Sequence, residues 1–191
     1  ATANPTECLS NYAQYNSSRD WLNPTDSTGA LWGNPQGYVS NSDNKYVNKG
    51  AKSFYDPCPV GYRVPPADVF RTFTTSGGYS QDPSTFDVVD ANDDGVIDVM
   101  DYNYGWFFNM KSGSLFFPAA ARYDGSYAML MGSKSGLWGS YWGNCPAKTY
   151  GGASGLSFCV LSFMNEAAGV SVSATASAGR ADAYSVRCVK E

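Results

Sequence analysis

Tyr55-Asp56-Pro57-Cys58-Pro59-Val60-Gly61-Tyr62-Arg63-Val64-Pro65 is the stretch from which the fold can be read. Asp56-Pro57 is a turn signal, because the residue before a proline is pushed out of the helical region. Gly61 to Pro65 predicts a short strand. Pro66-Ala67-Asp68 then marks a helix start: a proline loses nothing at the first helical position, and an acid in the first turn faces the positive end of the helix. Val69, Phe70 and Phe73 are the expected buried side of that helix, and Ser76-Gly77-Gly78 its end.

Upstream, residues 1–54 read as an irregular segment packed on the domain. Asn, Ser, Gly and Pro recur there, and Asn23-Pro24 and Asn34-Pro35 break any helix. Downstream, the β pattern is clearest in the last third. Leu156 to Phe163 mixes β-formers with partial alternation, Val170 to Thr175 alternates strictly, and Ala183 to Val189 alternates again. No repeat and no long amphipathic helix is visible. The expectation is one α+β domain over 1–191, with short helices, small antiparallel sheets and long loops.

Composition narrows the function. The chain has 191 residues, 43% apolar, 15% aromatic and only 16% charged, enough to bury a core in a single domain. Net charge is −4, with no long basic run, so nothing offers a footprint for a nucleic-acid backbone. Histidine is absent, which removes Ser–His–Asp and Cys–His triads, imidazole bases and every His-ligated metal site. A binding module is favoured over an enzyme. The 14 tyrosines against 10 phenylalanines place rings at half-wet positions, in cross-strand pairs or on a ligand-contacting surface. No apolar run approaches the roughly 18 residues of a membrane span. The start lacks a signal-like segment, so the chain is expected to be cytosolic or already processed.

Five cysteines separate those two. Cys8, Cys58, Cys145, Cys159 and Cys188 form no C-x-x-C pair and have no zinc-site spacing. Two disulfides and one leftover thiol fit better, and imply an oxidising compartment. Cys8, in a polar stretch, is the candidate odd thiol.

The sharpest local motif is Asp90-Ala91-Asn92-Asp93-Asp94-Gly95-Val96-Ile97-Asp98-Val99-Met100-Asp101. Calcium takes six to eight oxygens, and this loop offers them at EF-hand spacing. Asp90, Asn92 and Asp94 would give side-chain oxygens, Val96 its carbonyl, Asp98 a direct or water-bridged oxygen, and Asp101 the closing carboxylate. Gly95 allows the sharp turn, and Ile97 anchors the loop to a core. Asp101 stands where an EF-hand prefers Glu, as in a dockerin loop, but only one such loop is present. The expected cofactor is therefore a structural calcium ordering an insertion near 82–112. The bland alternative is an acidic turn. Five of the 17 acids lie in this loop; the rest of the chain has 13 bases against 12 acids.

Other strings carry less. Ser42-Asp43-Asn44-Lys45 satisfies two motifs of β-lactam-binding enzymes, but those motifs work only from separate elements. No phosphate-cradling or nucleophile-elbow motif is present.

Four segments resemble the Fibrobacter succinogenes major paralogous domain, common in secreted and surface proteins of Bacteroidetes-like bacteria. They are Tyr55–Pro65, Leu115 to Ala120 with Arg122, Gly139-Ser140-Tyr141-Trp142, and Tyr184 to Lys190. Asp20-Trp21-Leu22 and Leu31-Trp32-Gly33 are similar to upstream pieces of fimbrial tip proteins. The resemblance implies a C-type-lectin-like fold. It also implies a Cys58–Cys188 disulfide between the first helix region and the last strand, with Cys145–Cys159 as a second bridge in the long loop. The fold's sugar-binding calcium tripeptide is missing, as is the paired-cysteine motif of its sulfatase-activating relatives.

The chain is accordingly expected to be a non-catalytic recognition module, secreted or at a cell surface, that adheres to a protein or glycan. By analogy with the fold, the ligand face would be Tyr123, Trp138, Tyr141, Trp142, Asn144 and Tyr150. Tyr141 and Trp142, in a strand, are more often core than contact. Two alternatives stand beside it: a retroelement-diversified binding protein of the same fold, and a polysaccharide-acting enzyme needing two buried acids in one cleft.

Overall fold

The computed structural model describes residues 52–54, 56–124, 129–147, 157–167, 169–179 and 182–191. Residues 1–51, Tyr55 and Tyr150, and with them Cys8, lie outside the described residues. The strands are β1 (Tyr62–Arg63), β2 (Tyr79–Ser80), β3 (Gly105–Met110), β4 (Gly113–Pro118), β5 (Tyr123–Asp124), β6 (Met129–Leu130), β7 (Trp138–Ala147), β8 (Ser157–Glu166), β9 (Gly169–Gly179) and β10 (Val189–Lys190). They pair antiparallel as a four-stranded sheet ordered β2-β9-β8-β7 and three two-stranded pieces, β1-β10, β3-β4 and β5-β6.

The expected first helix is present as a seven-residue 3₁₀ helix, Ala67–Phe73, capped by Pro66 without a side-chain hydrogen bond. Its tighter winding has a packing reason. At three residues per turn, positions i and i+3 eclipse, so Phe70 and Phe73 fall on one line and both bury. Val69 is only half-buried. Among the described residues every helical stretch is of this 3₁₀ kind. The domain is built mostly of small antiparallel sheets and loops.

The core sits between β7, β8 and β9 on one side and the 3₁₀ helix with β3-β4 on the other. Phe70, Phe73, Phe86, Val88, Trp106, Phe108, Phe117, Tyr141, Leu161, Phe163 and Val172 form its centre. Phe73 stacks on Phe108 with ring centroids 4.1 Å apart, and Phe117 meets both Phe73 and Tyr141 edge-on. The 82–112 stretch, expected to hold the calcium-loop insertion, also feeds this core. Phe86, Val88, Trp106 and Phe108 come from that stretch, and Trp106 and Phe108 are completely buried. The acidic loop is mostly exposed, with Ile97 packed against the core and Asp101 buried.

A smaller cluster of Cys58, Val64, Trp142 and Ala178 packs at the end where the chain closes on itself. There Cys58 and Cys188 form a disulfide with Cα atoms 5.7 Å apart, across 130 residues of sequence. Asp56 is buried beside it and accepts N–H bonds from Cys58 (2.8 Å) and Val64 (3.0 Å). Lys52 caps the same turn, donating to the carbonyls of Cys58, Pro59 and Tyr62. The Asp-Pro-Cys-Pro sequence is thus a knot that fixes the entry of the domain to its last strand.

The final alternating stretch is less regular than its pattern predicts. Ala183 bridges Tyr123, Ser185 bridges Tyr141 in parallel, and only Val189–Lys190 forms a strand, with β1. The segment takes three partners in turn, so no continuous ladder forms.

Candidate functional site

Two regions carry chemistry outside the cores. The first is the acidic loop. Its backbone turns through left-handed φ values at Asp93 (59°) and Gly95 (83°). Asp90 accepts the N–H groups of Asp94 (3.3 Å) and Gly95 (2.7 Å). Asn92 accepts from Asp94 N and donates to Asp94 Oδ2, while Asp94 Oδ1 accepts from Val96 N. Asp98 caps the short 3₁₀ turn Val99–Asp101, accepting from Met100 N. Asp101 is 2% exposed and accepts from Ala91, Asn92 and Asp98, clasping the two ends of the loop. Ile97 packs on the core as its position requires. The side chains nonetheless point to main-chain N–H groups. Among the described residues no three His, Cys, Asp or Glu side chains converge tightly enough to hold a metal ion.

The second region lies at the start of β7. Arg122 is held over the rings of Trp138 (5.1 Å) and Tyr184 (5.7 Å), donates to the Tyr184 hydroxyl, and pairs with Asp124 at 3.4 Å. Tyr184 in turn donates to Asp182 (3.0 Å). Burial, reinforced by the Asp182 carboxylate, pushes the Tyr184 phenol well above its ordinary pKa despite Arg122. Lys134 sits over the Trp138 ring at 4.9 Å and donates to Glu166 Oε1. Beside them Lys134, Leu137, Asn165, Glu166 and Ala167 line an open groove of about 700 Å³.

The expected ligand face is divided by these positions. Tyr123 on β5 and Trp138 at the head of β7 are half-buried at this surface. Tyr141, Trp142 and Asn144 are not on a surface: they are 2%, 2% and 3% exposed. Tyr141 donates to the Pro118 carbonyl at 2.7 Å, and burial, partly offset by Arg187, raises its pKa to about 12. Trp142 packs on Tyr184 with centroids 4.6 Å apart. The Asn144 main chain donates to Pro65. Successive strand residues point to opposite faces, and both faces of β7 are covered here: Tyr141 turns into the large core and Trp142 into the small cluster. Tyr150 lies outside the described residues.

The groove residues are not legible in the sequence. Lys134 and Glu166 are 32 positions apart, and no motif links them. The usable signal is Trp138 with a lysine four residues before it, a spacing that occurs by chance everywhere.

Three carboxylates among the described residues are buried, Asp56, Asp101 and Asp124. Each is occupied, by two N–H groups, by three, and by Arg122 respectively. No family model, curated protein or solved structure matches the chain.

Proposed function

We infer that this chain is a non-catalytic recognition module acting outside the cell, secreted or at a cell surface, that adheres to a protein or glycan. The observation that carries the reading is the use made of the buried acids. Asp56, Asp101 and Asp124 are each spent on the scaffold, whereas a hydrolytic pair needs carboxylates whose protons are free to move. The Cys58–Cys188 disulfide supports an oxidising compartment. Among the described residues no helix is long and apolar enough to cross a membrane. The C-type-lectin-like assignment is part of the same proposal and rests on the sequence segments alone.

The test is a combined glycan and protein array, run with and without calcium. Saturable capture of one ligand class without turnover supports the reading. Catalytic consumption of an arrayed glycan, lost on Asp124→Asn, would overturn it in favour of an enzyme.

Calcium in the acidic loop belongs to the proposal too. The left-handed turns at Asp93 and Gly95 already bend the chain as such a loop requires. Binding would turn oxygens of Asp90, Asn92, Asp94 and Asp98 from N–H groups to the ion, with the Val96 carbonyl completing the set and Asp101 closing it. The net charge would move from −4 to −2. Heat on titrating calcium into the chelated protein, and a melting point raised by calcium and lowered by EDTA, are expected. Neither effect at millimolar calcium sinks the assignment.

A further inference from the structure

We propose that the groove at the head of β7, together with the exposed Tyr104 ring that packs against Gly136 next to groove-lining Leu137, binds a neutral glycan whose pyranose rings lie across the surface. The proposal rests on the recognition-module reading and names its site and ligand class.

The charge arrangement selects the ligand. Lys134 and Glu166 both line the groove and are paired directly with each other. A ligand with strong charge of either sign meets no net field there. A pair of neighbouring hydroxyls does fit, one donating to the Glu166 carboxylate and the next accepting from the Lys134 ammonium. Asn165, half-buried on the same wall, offers an amide that can do both. The Lys134 head is also held over the Trp138 ring, so it is placed before any ligand arrives. Leu137 and Ala167 supply apolar wall.

Tyr104 supplies the stacking surface. It is 73% exposed, yet its backbone adopts φ 53°, a region a tyrosine avoids. The position is enforced from both sides. Its carbonyl accepts from Ala119 N at 2.7 Å, and Ala119 in turn accepts from Gly136 N at 2.7 Å. The ring lies so close to Gly136 that an added Cβ there would meet its Cδ1 at 2.7 Å. Gly136 immediately precedes the groove-lining Leu137. Tyr102, two residues before Tyr104, donates to the Gly136 carbonyl at 2.9 Å and stiffens the mount. An aromatic ring backed by glycine, fixed by a strained backbone and left open to water, presents a flat apolar face to the C–H side of a sugar.

A peptide added as a strand is less suited to this place. The free side of β7 is taken by the covering segment: Trp142 N donates to Ser185 O, and Ser185 N to Ser140 O.

The experiment is an amide-resolved NMR titration with maltose, cellobiose, mannobiose, lactose and N,N′-diacetylchitobiose as neutral probes, and sialyllactose as the charged one, in calcium and again in EDTA. At least one neutral disaccharide is expected to shift Tyr104, Leu137, Asn165 and Glu166 saturably. Tyr104→Ala and Glu166→Gln should each weaken it about tenfold or more. Tyr79→Ala, an exposed tyrosine on β2, should leave it unchanged. If Tyr104→Ala perturbs resonances throughout the domain, Leu137→Ser takes its place with the same expectation. Shifts clustered elsewhere overturn the groove while leaving the recognition reading intact. Binding of sialyllactose alone, or no saturable shift with any neutral sugar, overturns the neutral-glycan assignment. The protein arm of the array then decides the broader reading.

Discussion

Tyr102, Tyr141 and Tyr184 show at the scale of single residues how the domain uses its excess of phenols. Each tucks its ring at least partly into the domain and keeps its hydroxyl bonded: to the Gly136 carbonyl, the Pro118 carbonyl and the Asp182 carboxylate. In all three, burial holds the proton on, with the Asp182 charge adding to the effect at Tyr184. The folded pKa lies above the unfolded value, so the unfolded chain releases these protons first as pH rises. Stability is therefore whole below about pH 10 and declines above it, toward the folded pKa of each phenol. The expected result is a melting temperature that falls steeply above about pH 10, with part of the tyrosinate absorbance appearing only on unfolding. A melting point still flat at that pH, with all 14 tyrosines titrating freely, contradicts the assigned burial. Tyrosine's amphipathic role could be read from composition. Which tyrosines face inward could not, because Tyr104 and Tyr102 are two residues apart and end 73% exposed and half-buried.

Among the elements, β7 and β8 depend most on side-chain size. Gly139 lies opposite Phe163, whose ring occupies the space a side chain would take: an added Cβ would fall 2.0 Å from Cζ. Gly139→Ala must push a buried ring out of the core, at about 1–3 kcal/mol. Gly132→Ala, where nothing lies within 4 Å, is the matched control and should be close to neutral. Equal melting points for the two variants would contradict the packing. The same strand pair bears on the cysteines. Cys145 lies on β7 and Cys159 on the paired β8, where the register is irregular between Trp142 and Pro146. Non-reducing peptide mapping should link Cys145 to Cys159 and leave Cys8 as the single alkylatable thiol. Three labelled cysteines per chain would refute it. Strand existence was legible here from alternation. The register was not, since it depends on the irregularity between Trp142 and Pro146.

At the scale of the whole molecule, the Cys58–Cys188 disulfide ties the first strand of the described domain to the last. In the chain-entropy account, a bridge closing 130 residues stabilises by about 4–5 kcal/mol. Replacing both cysteines by serine should lower the melting temperature by about 10–15 °C. A shift of a degree or two would mean that the Asp56 and Lys52 contacts hold the knot without the bond. Legible along the chain are the absence of histidine, the five cysteines and the short alternating segments that make small antiparallel sheets. Those properties are local or additive, so they can be read along one line of residues. Tertiary structure alone decided that the 82–112 stretch delivers Trp106 and Phe108 to the core, that Tyr141 and Trp142 are interior, and that Lys134 meets Glu166 beside Leu137. Each of these is a meeting of residues far apart in sequence, and burial belongs to the meeting rather than to either partner.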